Sequence, residues 1–321
     1  MKRALICGVS GQDGAYLAEF LLKKGYEVWG TSRDAQASGF GKLDSLGIKE
    51  QVLLLSMASN DFRSVLAALT RSIPDEVYFL SGQTSVGLSF DQPVETLESI
   101  TIGTLNMLEA IRFLERPIKL YHAGSSECFG DVGMAASDEK TPFHPRSPYA
   151  VAKASAHWLV ANYREAYGLL ACNGMLFNHE SPLRPTRFVT RKIISAACRI
   201  SKGSTEKLEL GNLDIVRDWG WAPEYIEAMW LILQRDKADD YIIATGEANS
   251  LKEFVNYTFE SLGLNWHDHV VSNSEFCRPT DLHWSQGNPI KAKELLGWSA
   301  SLKMRDVIRK MIDAEISQGD S

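Results

Sequence analysis

Tyr149-Ala150-Val151-Ala152-Lys153 sets a phenol and an ammonium four residues apart, directly after Pro148. On a helix that spacing brings both side chains onto one face. An ammonium beside a phenol favours the phenolate, which makes the tyrosine a usable proton acceptor near neutral pH. Ser125-Ser126-Glu127 adds a hydroxyl and a carboxylate just after an apolar run. The hydroxyl can bond the same oxygen that the tyrosine deprotonates. The carboxylate is the discriminating group: removing a proton from the carbon next to a new ketone needs a second base, whereas plain reduction or C4 epimerisation does not. The bland alternatives are a surface helix pair for the tyrosine and lysine, and a capping or salt-bridged carboxylate for Glu127.

A third signal stands at the start of the chain. Gly8-Val9-Ser10-Gly11-Gln12-Asp13-Gly14 follows the apolar residues 4–7 and precedes an amphipathic run at 16–24. Strand, glycine turn and helix in that order form a dinucleotide-binding fingerprint, in which the backbone approaches a pyrophosphate and the helix N-terminus faces its charge. Gly8, Gly11, Gln12, Asp13 and Gly14 are therefore candidate cofactor residues. The second strand ends in Thr31-Ser32-Arg33-Asp34. Ser32 holds the place where an NAD site carries an acid, and the Arg33 that follows suits a 2′-phosphate. NADP is favoured on these grounds, while Asp34 keeps NAD open.

The elements that must position these groups alternate in type. Apolar runs at 4–7, 26–32, 52–55, 76–80 and 118–124 read as strands, and residues 16–24, 63–72 and 93–114 as helices between them. Such alternation implies βαβ units: an α/β fold with a doubly wound, Rossmann-type parallel sheet. After about residue 173 the rhythm breaks, although helices at 190–202 and 225–233 remain. The expected division is a cofactor-binding domain over 1–175, which also receives segments near 213–240 and 275–290, and a smaller α+β substrate-binding domain over most of 176–321.

Composition narrows the function. The net charge of -6 comes from 40 acidic and 34 basic residues without a basic run, so nucleic acid is not an expected partner. Cys7, Cys128, Cys172, Cys198 and Cys277 form no C-x-x-C pair and suggest neither a disulfide framework nor a zinc site, which points to the reducing cytoplasm. The first apolar run ends at Gly8, too short for a secretory signal, and no other run is long enough to span a bilayer. No membrane role is expected.

Together these residues resemble the extended short-chain dehydrogenase/reductase family and, within it, the GDP-mannose 4,6-dehydratases. The resemblance runs through GVSGQDGAYL at 8–17, GSSECFG at 124–130, PFHPRSPYAVAK at 142–153, LFNHESPLR at 176–184, FVTRK at 188–192, LGNLDIVRDW at 210–219 and much of 278–298. It implies an NADP-dependent hydro-lyase acting on GDP-mannose or a related GDP-sugar. By the same mapping Tyr149 is the base, Lys153 its activator, Ser125 the hydroxyl partner and Glu127 the acid–base at C5 and C6. Tyr149 and Lys153 also contact the cofactor. Asn178, Lys192, Arg217 and Arg278 would hold the nucleotide, with Asp281 on the ribose hydroxyls. A homodimer or homotetramer is implied as well.

The chain departs from the family at four cofactor or catalytic positions. Ser125 stands for the usual threonine, Asp34-Ala35 for two arginines, Ser56 for an acid near the adenine, and Ser81-Gly82 for two alanines. Two further readings stay open at this stage: a GDP-sugar 4-reductase or epimerase of the same fold, and a non-catalytic NADP-binding homologue.

Overall fold

The computed structural model describes residues 1–276 and 278–319. Seven strands make one parallel sheet: β1 (Arg3–Cys7), β2 (Glu27–Ser32), β3 (Leu53–Ser56), β4 (Glu76–Phe79), β5 (Lys119–Ser125), β6 (Ala171–Leu176) and β7 (Asp240–Ile243). Their order across the sheet is β7-β6-β5-β4-β1-β2-β3. The chain winds one way from β1 to β3 and the other way from β4 to β7, so the sheet reverses between β1 and β4, where Cys7 pairs with both Thr31 and Phe79. That reversal opens a crevice at the carboxyl ends of the strands. The expected doubly wound α/β fold is present.

Both faces are covered. On one, α1 (Gln12–Lys23) and α9 (Ala222–Leu233) bury Leu17, Leu21, Ile226 and Met229 against the strands. On the other, α3 (Phe62–Ser72), α6 (Gly103–Leu114) and α7 (Pro148–Tyr167) bury Leu69, Met107 and Val160. The long helix expected over 93–114 is real but interrupted. Here α5 (Pro93–Leu97) joins α6 through a π-helical turn, Glu98–Ile102. Several elements left no clear signal, among them the strands β6 and β7, the C-terminal helix, the five-residue α2 (Gly41–Ser45), the six-residue α4 (Val86–Asp91), and α10 (Leu251–Glu260), whose Ser250 and Glu253 close a capping box.

A second core lies in the later half of the chain. There α8 (Val189–Ser201), α10 and α11 (Met304–Gly319) pack Ile193, Phe254 and Ile308 around the buried Trp219. Small strands link this core to the sheet: Asn178–Glu180 pairs with Trp219–Trp221, and Val216–Arg217 pairs with Trp284–Ser285. Among the described residues no helix is long and apolar enough to cross a membrane.

The glycine turn shows why the first helix must start where it does. Gly8 has φ +89, open to glycine but strained for other residues. A Cβ on Gly14 would stand 2.4 Å from the Gly8 carbonyl oxygen and 2.7 Å from Val9 Cα, both backbone atoms. Gly14→Ala should therefore lower unfolding free energy by about 1–3 kcal/mol through overpacking. Gly41→Ala, whose Cβ meets nothing within 4 Å, should be close to neutral. Denaturant unfolding of the two variants checks the contrast.

Candidate active site

The largest cavity among those described, about 1020 Å³, lies at the carboxyl ends of the strands between the two cores. Ser125, Glu127, Tyr149 and Lys153 all line it. Ser125 ends β5 and caps the short turn that carries Glu127, accepting the Glu127 amide at 3.3 Å. Tyr149 and Lys153 lie in the first turns of α7, which starts at Ser147 capping Ala150 N–H and continues with Pro148. The four groups thus come from two elements that leave the sheet edge side by side.

Their proton affinities follow from burial. Lys153 Nζ donates to the Ala123 carbonyl at 2.7 Å, and burial lowers its ammonium to about 8. Burial raises the Tyr149 phenol, and the Ser125 hydroxyl, bonded to it, only partly opposes this. Lys153 Nζ sits 5.9 Å from the centre of the tyrosine ring and points at backbone. Burial also raises Glu127, against the opposing pull of Arg217 and Arg278. No hydrogen bond or ion pair among the described residues occupies the Glu127 carboxylate, so the capping or salt-bridged alternative does not hold.

The candidate nucleotide residues divide. Asn178, Lys192, Arg278 and Asp281 line the cavity with Glu127. Lys192 Nζ donates to Glu209 O at 2.7 Å and lies 4.0 Å from the centre of the Phe276 ring. Arg217 is buried behind that wall, donating to Leu282 O at 2.8 Å and to Asp281 Oδ1 at 3.0 Å. Arg278 Nη1 reaches the same Asp281 oxygen at 3.6 Å. Asp281 therefore gathers two cations at the wall.

At the cofactor end, Gly11 precedes α1 with no side-chain cap; its own amide donates to Gly8 O at 3.0 Å, which leaves the Gln12 and Asp13 amides for an anion. The uncapped turn and the crevice beside it fit a dinucleotide. The side chains of Gln12 and Asp13 are engaged elsewhere. Gln12 accepts from Ser181 Oγ at 2.7 Å and donates to Asp13 at 2.9 Å, and Asp13 Oδ2 bonds His179 Nε2 at 3.0 Å. Ser56, whose register partner is Ser32, accepts from Ala35 N–H at 3.0 Å, and Asp34 caps its own loop through Gln36 and Ala37. Of the candidate cofactor residues, Asp13, Tyr149 and Lys153 line the main cavity, whereas Gly8, Gly11, Gln12, Gly14, Arg33 and Ser56 do not.

Sequence reasoning missed His179 and Arg184, which also line the cavity. Asn178-His179-Glu180-Ser181 stood out as a specific motif, but nothing in it told which side chain would meet the glycine turn. Cys128 is buried filler, its thiol pushed up to about 12, and His122 is a strand residue bonded to Asn173 at 2.8 Å and pushed down to about 3 by burial. Cys277 lies outside the described residues.

Comparison with known proteins shows the family. A family profile described as GDP-mannose 4,6 dehydratase matches residues 5–311. The chain belongs to the GDP-mannose 4,6-dehydratase family. Among its relatives, GDP-mannose 4,6 dehydratase 1 of Arabidopsis thaliana is 46% identical, covering 98% of this chain and 90% of that one. The Homo sapiens GDP-mannose 4,6 dehydratase is 40% identical over 98% of this chain and 91% of its own. In structure, a Thermus thermophilus UDP-glucose 4-epimerase complexed with NAD is similar at a TM-score of 0.85 and 26% identity, covering 98% and 99% of the two chains. A dTDP-glucose 4,6-dehydratase from Bacillus anthracis in complex with NAD matches at 0.86 and 18% identity, over 100% and 98%, a likeness of fold alone. A nicotinamide cofactor is common to such structures, and an NADPH complex of RMD from Pseudomonas aeruginosa, at 23% identity and TM-score 0.81 over 99% and 100%, shares the fold.

The Asp13–His179 pair gives a pH signature. Burial resists ionisation of both, yet each outweighs it for the other: Asp13 falls to about 2 and His179 rises above its ordinary 6.5. The depressed carboxyl contributes stability above pH 3.8 that is lost as pH falls through about 2. The raised imidazole contributes stability below pH 6.5 that is lost as pH climbs through its folded value. Asp13→Asn should thus cost on the order of a few kcal/mol near pH 5–6 and less near pH 9. Thermal unfolding of variant and wild type at both pH values measures the difference.

Proposed function

We propose that this chain converts GDP-mannose, or a closely related GDP-sugar, to the GDP-4-keto-6-deoxy sugar with loss of one water, using NADP as a recycled cofactor. The observation that carries the reading is Glu127: an unpaired, partly buried carboxylate in the same cavity as Tyr149, Lys153 and Ser125. Bound at the glycine turn, the cofactor would supply the hydride acceptor at C4 and the hydride donor at C6. The chain's own residues would move the protons. Tyr149 takes the C4 hydroxyl proton, Ser125 bonds that oxygen, and the Lys153 charge beneath the ring favours the phenolate once substrate has arrived. The C4 ketone acidifies the C5 hydrogen. Glu127 removes that proton and delivers it to the leaving C6 hydroxyl, which departs as water. A carboxyl raised by burial suits both halves of this transfer, since it accepts a proton and releases it again near neutral pH. Once hydride has returned to C6, C5 takes up a proton through Glu127 from solvent while Tyr149 gives up the C4 hydroxyl proton, so that water is the only net loss.

Arg278, Lys192 and Asn178 would hold the diphosphate and base, with Asp281 on the ribose and Arg217 fixing Asp281 from behind. Arg33 and Ser56 lie towards the adenosine end of NADP by their place at the ends of β2 and β3, and the amides of Gln12 and Asp13 are assigned to its diphosphate, with Gly8, Gly11 and Gly14 shaping the turn. In domain terms, residues 1–175 with α9 and β7 form the cofactor lobe, and most of 176–321 forms the sugar-nucleotide lobe. Exposed Val94, Leu97 and Ile102 belong to α5 and the π-helical turn, which pack against α7, and exposed Val151 and Trp158 share one side of α7, which supports a homodimer or homotetramer that uses these helices. Four buried free cysteines support a cytoplasmic setting.

Wild-type protein given GDP-mannose and catalytic NADP should yield a product lighter by one water, read by mass spectrometry. Continuous stoichiometric consumption of NADPH would overturn the reading. Glu127→Gln should slow dehydration on the order of 10²–10⁴-fold while cofactor still binds. Full activity of that variant would transfer the protein to the reductase or epimerase class.

A further inference from the structure

Two cations flank the adenosine end of the cofactor crevice, and their surroundings differ. Arg33, at the tip of β2, is the residue that sequence assigns to a 2′-phosphate. Its Nη2 instead pairs with Glu95 Oε1 on α5 at 3.2 Å, with both side chains exposed. Lys42, on α2, folds back over the glycine turn. Its Nζ donates to Ser10 O at 3.0 Å, and the side chain is partly buried. The Gly8 and Val9 amides both donate to Thr31 O, at 3.1 and 3.2 Å. The turn and the end of β2 are therefore one continuous surface, and the Lys42 ammonium stands on its rim.

No carboxylate pairs with Lys42 among the described residues; its recorded acceptor is the Ser10 carbonyl. The charge that acts on it is a second cation, Arg187, which faces the main cavity. Burial and that neighbour together lower the ammonium's proton affinity. A partly desolvated ammonium facing another cation is held at an electrostatic cost that an anion would relieve. The uncapped amides of α1 open beside it, so the anion that fits is a phosphate.

We propose that Lys42, rather than Arg33, is the side chain that grips a phosphate of the cofactor's adenosine half, either the 2′-phosphate or the adjoining diphosphate. This deepens the cofactor reading above and rests on it. Calorimetric titration of the full chain with NADP⁺ and, separately, NAD⁺ tests it without any turnover. Lys42→Met should weaken NADP⁺ binding roughly tenfold, the size of one charge-assisted hydrogen bond. Lys42→Arg should restore most of the affinity, which separates a lost charge from a damaged fold. Arg33→Met should weaken NADP⁺ binding less than about threefold, as expected for an exposed, already paired guanidinium. Loss confined to NADP⁺ identifies the 2′-phosphate, equal loss with both dinucleotides identifies the diphosphate, and either supports the proposal. Unchanged affinity of Lys42→Met for both, or a larger loss in Arg33→Met, overturns it. Wild-type protein that binds neither dinucleotide would sink the cofactor reading itself, an outcome distinct from a variant that matches a binding wild type.

Discussion

The bracket between the start of α1 and the segment Asn178–Glu180 is the contact on which the rest of the site depends. Asp13 and Gln12 sit where a phosphate-binding turn becomes a helix, yet their side chains reach across the crevice to His179 and Ser181. That segment leads into α8, which carries Lys192, and it pairs with Trp219–Trp221, which follows Arg217. One ion pair and two hydrogen bonds thereby fix the distance between the place for a dinucleotide and the place for a sugar nucleotide. Such a distance must be held closely, because a misplacement of about 1 Å can cost about 10²-fold in rate. Placing the bracket in a water-poor position makes it stiff as well as strong, since Coulombic attraction rises where the dielectric falls.

Burial then decides the proton chemistry. In this cavity a phenol and a carboxyl are both harder to ionise than in water, and an ammonium is easier to neutralise. Burial by itself thus disfavours charge on all three groups. Arg217 and Arg278 illustrate the counterweight: they pull Glu127 back towards ionisation while Asp281 absorbs part of their charge.

Most of the sheet was legible in the sequence because parallel strands covered on both faces read as uninterrupted apolar runs, and the glycine turn fixes where the first helix begins. Tyr149, Lys153, Ser125 and Glu127 were legible because their types and spacing make chemical sense on a helix and a strand end. What escaped was whatever depends on contacts distant in sequence. The π-helical turn at Glu98–Ile102 is set by packing, α2 is too short to show a period, and the partners of Gln12 and Arg217 are more than sixty residues away in the chain. Arg33 looked like a free cation because Glu95 is its neighbour only in three dimensions.

The seventh strand has a consequence for how the molecule is made. Asp240–Ile243 completes the sheet on the outer side of β6, and Asp240 takes the guanidinium fork of Arg164 at 2.8 and 2.9 Å while also bonding Asn173. Until that strand leaves the ribosome, β6 presents a bare row of amides and carbonyls, and the helix bearing Tyr149 lacks its anchor at the far end. An unpaired central edge of this kind is a template for pairing with another chain. The nascent protein must keep that edge from neighbouring chains while the remainder is synthesised.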